Sequence, residues 1–395
     1  MFHLLPAELR MLVYEHCELF TLTNLRSSCR ILEREISALL FRTVSIDILP
    51  QGIELLRKIA NRPSLACHVQ TLIVSTNLLR PYSYSTFARQ LCYQDCLSLQ
   101  NILLPYSSWV LDMHRRSKIR RRYKRYSHYL NKQKDFLLDR ASLKLTVLKL
   151  VGLRKIELRL LNDTEQSRRW HAFGCEVFGS EDNFDLRTET IHTPHDEAHL
   201  CVTYALLSEM RHHLTSLKID YIPCSYWQIG DYEEIWRHLR YLKICVEHGS
   251  TATEICSVRV GIRKVLLNIG LIEFLHLEIT PTCGYLSRID FGELFADVQL
   301  NMIQGLRIYT GKISSHGLLK IFKLHKTNLR RFDITDLHLI DEQWETVFAL
   351  LEECLQNCEV TFEGATDGDG WSIRAVVPFG HVLKVKQAAS FNSTL

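Results

Sequence analysis

Residues 239–244 read LRYLKI, with apolar residues at the first, fourth and sixth positions, and this spacing decides the fold because it recurs along the chain. Leu242 and Ile244 alternate with polar residues, which is typical of a β-strand with one buried face. Residues 272–277 read IEFLHL and repeat the spacing 33 positions later. A pattern that returns in this way predicts a series of similar structural units.

Eight copies of this template occur beyond residue 50, and the intervals between their first positions are 30, 54, 61, 25, 33, 31 and 26 residues. The copies are Val69-Leu72-Val74, Leu99-Ile102-Leu104, Leu153-Ile156-Leu158, Leu214-Leu217-Ile219, Leu239-Leu242-Ile244, Ile272-Leu275-Leu277, Ile303-Leu306-Ile308 and Leu329-Phe332-Ile334. Helical apolar patterns lie before most copies, for example Leu206, Leu207 and Met210. Strands that alternate with helices predict an α/β fold with a parallel sheet.

Units of this size cannot each bury their apolar strand face, so we expect them to stack into a solenoid over residues 49–395, with parallel strands on one side and helices on the other. The pattern resembles degenerate leucine-rich repeats. It departs from that family because no Asn or Cys follows the third apolar position at a fixed place, so a regular asparagine ladder is not expected. An ordinary α/β domain, whose parallel strands share the same buried pattern, is the alternative.

The first fifty residues have apolar positions at helical spacing instead. Their first run begins at Pro6, which suits the first helical turn because its missing N–H would have no partner there. The apolar residues of this run fall on one helical stripe: Leu5, Leu9, Leu12 and Val13. Two further helical runs cover residues 25–32 and 36–41, and residues 44–48 then alternate as in a strand. We therefore expect three short helices followed by a strand.

Three motifs in this segment resemble an F-box of the fungal kind, over about residues 2–48. The motifs are Leu5-Pro6-x-Glu8-Leu9, then Asn24-Leu25 leading to Ser28-Cys29-Arg30, then Leu39-Leu40-Phe41-Arg42-Thr43-Val44. Asn24 stands where the family often has Asp, and both residues cap helices well. The resemblance implies an F-box domain at residues 1–48.

An F-box binds a Skp-type adaptor, which docks on a cullin scaffold that carries a RING protein and a ubiquitin-conjugating enzyme. The resemblance implies the same partners here and places six residues at adaptor-contacting positions: Leu5, Pro6, Leu9, Leu25, Cys29 and Phe41. Three helices in about forty residues also cannot bury all of their apolar surface alone. The alternative is that these side chains pack against the rest of the same chain.

The expected role is that of a substrate receptor, which holds a protein substrate near the conjugating enzyme and needs no reactive residue of its own. We expect the substrate to bind the strand side of the repeats and the loops after the strands, such as residues 220–227 and 280–285. Aromatic residues are typical binding anchors, which singles out Tyr221, Tyr226 and Trp227, with burial in the core as the alternative.

A basic segment interrupts the repeats. Residues 115–134 contain ten Lys or Arg and no acid. The whole chain has a formal charge of +4, so the remainder without this segment carries −6. Its apolar residues keep a helical period, and we expect an amphipathic helix within an insertion at 109–138. The basic patch consists of Arg120, Arg121, Arg122, Lys124 and Arg125.

Three uses fit such a helix: binding to phosphates, binding to an acidic protein surface, and a nuclear-localisation signal. A solvated face that packs its tyrosines on the repeats is the structural alternative. No zinc-finger, RNA-recognition or helix-turn-helix signature occurs, so nucleic-acid binding is not expected as the main role. It stays the rival function, in which the chain is a scaffold or nucleic-acid-associated repeat protein outside any ligase.

The last part of the chain predicts a hairpin at 358–378 that caps the repeats. Residues 359–363 and 371–377 read EVTFE and WSIRAVV, on either side of a turn rich in Gly and Asp. Alternating strands that flank such a turn are typical of an antiparallel pair.

Composition predicts no membrane segment, since 46% of the 395 residues are apolar but no apolar run approaches the roughly 18 residues of a span. Thirteen scattered cysteines and the lack of a signal peptide predict a reducing compartment, the cytoplasm, the nucleus or both. Motifs of phosphate loops, hydrolases and zinc proteases do not occur. We therefore expect no catalytic residue, no cofactor and no metal, and we interpret the cluster around His195 and His199 as a loop.

Overall fold

The computed structural model of the chain divides into two compact units. Unit 1 comprises residues 1–69, 73–151 and 160–205, and unit 2 comprises residues 70–72, 152–159 and 206–395. The residues that the structure describes are 4–48, 50–75, 83–88, 113–138, 140–159, 214–222, 233–248, 251–281, 289–341, 344, 347, 358–366, 372–377 and 386–388.

Unit 1 is mainly helical. Its helices are α1 (Ala7–Glu15), α2 (Leu19–Arg26), α3 (Arg30–Leu40), α4 (Pro50–Ala60), α5 (Pro63–Ala66), α6 (Met113–Leu138) and α7 (Arg140–Leu148). Strand β1 (Thr43–Asp47) follows α3, and strand β2 (Thr71–Ser75) is divided between the two units. The three short helices and the strand expected in the first fifty residues are therefore confirmed, and they share a compact unit with α4 to α7.

Unit 2 alternates strands with helices. Its strands are β3 (Lys155–Arg159), β4 (Ser216–Ile222), β5 (Tyr241–His248), β6 (Phe274–Pro281), β7 (Gly305–Ile313), β8 (Arg331–Leu339), β9 (Glu359–Thr366), β10 (Ser372–Val377) and β11 (Lys386–Ala388). Its helices are α8 (Glu233–Trp236), α9 (Ala252–Asn268), α10 (Phe291–Phe295) and α11 (Ser315–His325). Among the described residues, no helix combines the length and the apolar character that crossing a bilayer requires.

Within unit 2 the sheet orders its strands as the chain does, from β3 to β11, and β3 to β9 are parallel. The predicted α/β class with a parallel sheet is confirmed. The template recurs in register, because Leu242 of β5 pairs with Leu275 of β6, which pairs with Leu306 of β7. Seven of the eight copies lie at described strands with all their apolar side chains buried, and the copy that begins at Leu99 lies outside the described residues.

Helix α9 illustrates why the segments between the strands are helical. A capping box begins it: the Glu254 N–H donates to Thr251 Oγ1 at 3.2 Å, and the Thr251 N–H donates to the Glu254 carboxylate at 3.1 Å. Val258, Ile262 and Val265 then fall on one helical face and are buried. The helix packs against β5, so its apolar face covers the buried side of the sheet.

The predicted carboxyl-terminal hairpin is present, since β9 and β10 pair antiparallel. Two features go beyond the prediction. Strand β9 is also the parallel neighbour of β8, with Phe332 opposite Val360 and Ile334 opposite Phe362, and β11 adds a further antiparallel strand to β10. The hairpin is therefore continuous with the parallel sheet through β9.

Three adjacent strands each have one residue in the left-handed backbone conformation. The three residues occupy the same register position, so the strands bend at the same place. Thr310 in β7, Asp336 in β8 and Gly364 in β9 have φ values of 54°, 49° and 64°. On both sides of the bend the β7–β8 pairing continues, from Tyr309 with Thr335 to Gly311 with Leu337. These three strands therefore share a backbone bend as well as an apolar spacing.

Replacing Gly364 by Ala is expected to lower the free energy of unfolding by about 1–2 kcal/mol, because an L-residue is strained in the left-handed region. The added Cβ would also overlap the Asp336 carboxylate. Urea unfolding followed by circular dichroism measures the effect. Gly270→Ala is the matched control, since no atom lies within 4 Å of its added Cβ. Equal stability of the two variants would contradict the strain at Gly364.

Candidate functional site

The first three helices bury a small core. Tyr14 of α1 meets Leu32 and Ile36 of α3, and Leu22 and Leu25 of α2 pack at its edge. A core of this size contributes only a few kcal/mol to the free energy of unfolding, so apolar contacts among the three helices stabilise them only slightly.

A charged network joins α1 to α3 beside this core. The Glu35 carboxylate accepts hydrogen bonds from Arg10 Nε at 2.9 Å and from the Tyr14 hydroxyl at 2.9 Å, and Arg10 also donates to the Leu5 carbonyl. The hydrogen bonds from Arg10 hold the pKa of Glu35 below its ordinary value. Burial, followed by the bond to Glu35, raises the pKa of Tyr14 to about 12. The inward side of α1 therefore carries Arg10 and Tyr14 rather than leucines.

The apolar stripe of α1 faces outward instead. Leu9 and Leu12 are 48% and 55% exposed, and Leu5 and Val13 are exposed beside them at helical spacing. We call these four residues the α1 apolar face. The expected helix is confirmed, but its apolar residues are not the ones that pack on α3.

More large apolar side chains are exposed in the same region of the chain. With the four of the α1 apolar face, nine such residues lie between positions 4 and 31: Leu4, Leu5, Leu9, Met11, Leu12, Val13, Leu19, Phe20 and Ile31. Phe20, at the start of α2, is 75% exposed. Helical periodicity could not single out these residues, because it shows which positions share a face but not which face a neighbouring helix covers.

The six residues predicted to contact an adaptor fall into two groups. Leu5, Pro6 and Leu9 are exposed at the beginning of α1. Leu25 and Cys29 are half-buried against the three-helix core. The first group is free to meet a partner, whereas the second contributes to the packing of α2 and α3.

Phe41, the sixth predicted residue, is half-buried where α3 ends. The Arg26 guanidinium lies 5.2 Å above the centre of its ring, within the range of a cation–π contact. Arg26 also donates to Ser37 Oγ at 2.9 Å, so it connects the end of α2 to α3 and to Phe41. Phe41 therefore has a packing role within the three helices.

The charged network gives a pH-dependent prediction. Glu35→Gln is expected to lower the melting temperature by about 3 °C at pH 7, because it removes the carboxylate that holds Arg10 and Tyr14. Since the folded-state pKa of Glu35 lies below the ordinary value of 4.5, its stabilisation is present above that pH and is lost as the pH falls through the folded-state value. The difference in melting temperature should therefore shrink below about pH 4.

Thermal melts between pH 3 and pH 7 measure this difference, with Glu33→Gln as the matched control because Glu33 is exposed on the same helix. A difference between the Glu35 variant and the parent chain that stays constant over this range would contradict the network.

The basic segment forms the long helix α6, as expected for its described part; residues 109–112 lie outside the described residues. Ile119, Tyr126 and Leu130 are buried on one side of it. Gln133 is buried as well, and its Nε2 donates to the Ile48 carbonyl at 3.0 Å. The helix is thus packed on the rest of unit 1 through a defined apolar face.

The tyrosines of α6 belong to this packing. The Phe87 ring lies 5.3 Å from the Tyr123 ring and 5.1 Å from the Tyr126 ring, centre to centre, and Tyr84 lies 5.3 Å from Tyr123. Such edge and tilted contacts are favourable between aromatic rings. Their engagement with one another leaves the basic residues as the exposed feature of the helix.

The predicted basic patch is on the outside of α6. Arg120, Arg121, Lys124 and Arg125 are exposed, and Arg122 is half-buried. No acid occurs between residues 115 and 134, so the segment contributes only positive charge to this side of the helix.

The predicted substrate anchors are not placed by the structure. Tyr221 lies in β4, but its side chain is outside the described part, and Tyr226 and Trp227 lie outside the described residues altogether. The region around His195 and His199 is also outside them. No group of three or more His, Cys, Asp or Glu side chains in the described part of the chain could hold a metal ion.

The described cysteines are free thiols. Burial raises the pKa of Cys245 and of Cys358 to about 12, so both remain protonated near neutral pH. A protonated thiol is a poor nucleophile, so neither Cys245 nor Cys358 has the properties of a reactive cysteine.

Comparison with models of known protein families gives no match, and no curated protein matches the chain. The role of the exposed surfaces is therefore argued from their own residues.

Proposed function

We propose that this chain is the substrate-receptor subunit of a ubiquitin ligase of the Skp-cullin-F-box type. Residues 1–48 act as the F-box that binds the Skp-type adaptor, and through it the cullin and the RING protein. Residues 49–395 form a leucine-rich-repeat-like domain that binds a protein substrate.

The observation that carries the proposal is the α1 apolar face. Leu9, Leu12 and Val13 are exposed although Arg10 and Tyr14, on the opposite side of the same helix, are buried. A helix that turns its leucines outward and buries an arginine is arranged for a partner, because water-exposed apolar surface is unfavourable. The F-box motifs supply the identity of that partner.

The repeat part supports a binding role. Parallel strands that pair in chain order, each with the same buried template, are compatible with stacked repeats that offer an extended face to a substrate. Ligase activity then needs no reactive residue here, because holding a substrate raises the effective concentration of its lysines near the conjugating enzyme.

Size-exclusion chromatography of the full chain with a purified Skp-type adaptor tests the proposal. We expect one complex that persists at 0.5 M salt. Salt at this concentration screens charges beyond a Debye length of roughly 4 Å, but it does not weaken contacts between apolar side chains. A cullin–RING pair should then join the complex through the adaptor. Separate elution of the chain and an excess of adaptor at low salt would refute the proposal.

A second candidate function rests on the exposed basic side of α6. Arg120, Arg121 and Lys124 suit the phosphates of a nucleic acid, and the chain would then be a scaffold or nucleic-acid-associated protein. Binding of that kind should weaken steeply as salt rises, unlike adaptor binding. Residues 120–125 also have the composition of a nuclear-localisation signal, so we propose residence in the cytoplasm, the nucleus or both.

A further inference from the structure

The exposed side of helix α6 is entirely polar. Between residues 117 and 135 every exposed side chain of the helix is polar, and seven of them are Lys or Arg. The apolar residues Ile119, Tyr126 and Leu130 are buried on the opposite side. Protein–protein interfaces depend on a core of apolar or aromatic anchors, whereas protein–DNA interfaces are polar and positively charged. The exposed side of α6 therefore suits a polyanion better than a protein partner.

Four of these cations contact no acid in the part of the chain that the structure describes. We call them the outer cations: Lys118, Arg120, Arg121 and Lys124. The sheet of unit 2 differs in this respect, since Lys218 and Lys243 share the Asp220 carboxylate at 3.6 Å and 3.3 Å. A cation without an acidic neighbour keeps its full attraction for a ligand. The outer cations are thus the positive charges of α6 on which a binding site can be built.

Two acids lie near the carboxyl-terminal half of α6. The pKa of Glu54 is lowered by Lys58 and then by the charge of Lys132, so Lys132 has an acidic neighbour. Asp135 is exposed, and it follows Lys124 by eleven positions, or about 16 Å along the helix axis. This separation exceeds the Debye length of about 8 Å at physiological ionic strength. Asp135 therefore weakens the attraction of the outer cations only slightly.

The outer cations lie on both flanks of the exposed side. At about 100° per residue, Arg120 and Lys124 fall on one flank and Lys118 and Arg121 on the other, with Ser117 between them. A helix with its side chains is about 10–12 Å across, so the flanks are separated by roughly this distance. The major groove of B-form DNA is about 12 Å wide and has a phosphate strand on either edge. A helix lying along this groove brings two of the outer cations to each strand.

Contacts within unit 1 hold α6 in place behind this surface. Gln133 Nε2 donates to the Ile48 carbonyl at 3.0 Å, and Gln51 Nε2 donates to the Tyr129 hydroxyl at 2.9 Å. A helix that is already fixed loses little conformational freedom when it binds. Helices that enter the major groove are presented in this way, with one side packed on their own domain and the other on the DNA.

The aromatic rings of α6 favour a duplex over a single strand. Tyr126 is buried, and Tyr123 is half-buried against Phe87 and Tyr84. No Tyr, Phe or Trp side chain of the helix is exposed between residues 117 and 135. Proteins that bind single strands stack the bases on exposed aromatic rings. An A-form RNA duplex fits less well than B-form DNA, because its major groove is deep and narrow.

We infer that α6 binds the phosphate backbone of B-form DNA, with the outer cations on both edges of the major groove. The inference deepens the second candidate function, because it names the form of the nucleic acid. It does not rest on the ligase role, whose adaptor site is the α1 apolar face. Contacts to phosphates position a protein on DNA without reading its sequence, so duplexes of different sequence should bind alike.

Fluorescence anisotropy of the full chain with a labelled DNA duplex of about 20 base pairs and mixed sequence tests this inference. Four phosphate contacts predict a dissociation constant of about 1 µM at about 20 mM salt, weakened about a hundredfold at about 80 mM. The slope of the logarithm of affinity against the logarithm of salt concentration should be about −3.6.

Replacing Arg121 and Lys124 together by Gln should weaken duplex binding at least about tenfold and reduce the slope by about 2, because two phosphate contacts are lost. The matched control replaces Arg259 and Arg263 by Gln, which removes the same two charges from the exposed side of α9. The control should bind the duplex within about twofold of the parent chain. Both variants should melt within about 2 °C of the parent, since all four residues are on the surface.

Three outcomes would overturn the inference: no duplex binding at low salt, equal loss in the control, or tighter binding to single-stranded DNA, an RNA duplex or polyglutamate than to the DNA duplex. Adaptor binding is measured separately in the same preparations. Duplex binding without adaptor binding would leave this inference standing and refute the ligase role, and the reverse result would do the opposite.

Discussion

Replacing Leu9 and Leu12 together by Asp is expected to weaken adaptor binding at least about a hundredfold while the melting temperature stays unchanged. Both residues belong to the α1 apolar face and are about half exposed, so the folded chain alone can accommodate a charge there. In the complex the two carboxylates would be buried in an apolar interface without a partner, which is strongly unfavourable. Isothermal titration with the purified adaptor measures the loss.

The matched control is Val260→Asp with Leu267→Asp, because Val260 and Leu267 are 59% and 58% exposed on helix α9 and the pair of substitutions adds the same two negative charges at other exposed apolar positions. It should bind the adaptor like the parent chain. Phe41→Ala is a less suitable test, since Phe41 is half-buried under Arg26 and its loss should lower the melting temperature as well. Tight binding by the Leu9 and Leu12 variant would show that the α1 apolar face is not the adaptor site.

The strands could be predicted because their signal is local. Each copy of the template needs only six consecutive residues, and a buried strand face imposes that spacing whatever its neighbours are. The interval of about thirty residues then indicates parallel strands with helices between them. Strand β9 was predicted only as part of the hairpin. Its place beside β8 in the parallel sheet was missed because Asn357 stands where the template requires an apolar residue, although Val360 and Phe362 are buried.

The inward face of α1 could not be predicted because it depends on contacts with a residue that is distant in the sequence. Arg10 is buried by its bonds to Glu35, 25 positions away, and only the packing of α1 on α3 brings the two together. A hydrophobic stripe is normally the buried side of a helix, and here that rule is wrong. This departure is informative, because the exposed leucines are the feature that supports the binding of a partner protein.

The exposed aromatic pair on the sheet of unit 2, Tyr241 and Phe274, escaped prediction for a similar reason. Tyr241 and Phe274 occupy the third position of the template, which alternation alone marks as exposed. Their adjacency depends on the register between β5 and β6, and the position of the Phe274 ring depends on Gly305 in β7. Aromatic residues in loops, such as Trp227, are usually expected to be exposed and could be named as anchors from the sequence. The register between two strands cannot be predicted from the sequence of either strand alone.

Replacing Trp344 by Ala is expected to lower the free energy of unfolding by about 3–5 kcal/mol, the largest stability effect we predict. Trp344 is fully buried, its ring meets the Phe362 ring edge to face at 5.3 Å, and its Nε1 donates to the Thr366 carbonyl at 2.9 Å. Phe362 and Thr366 belong to β9, so the tryptophan holds the last parallel strand by both an apolar and a polar contact. Urea unfolding followed by far-ultraviolet circular dichroism measures the change.

Two further variants separate these contacts. Trp344→Phe retains a ring against Phe362 but leaves the Thr366 carbonyl without this donor, so a loss of about 1–2 kcal/mol is expected. Tyr241→Ala removes an exposed ring of comparable size and should lower the free energy of unfolding by less than about 1 kcal/mol. From most to least stable, the expected order is therefore parent, Tyr241→Ala, Trp344→Phe and Trp344→Ala. If Trp344→Ala were as stable as Tyr241→Ala, the tryptophan could not be what holds β9 in the sheet.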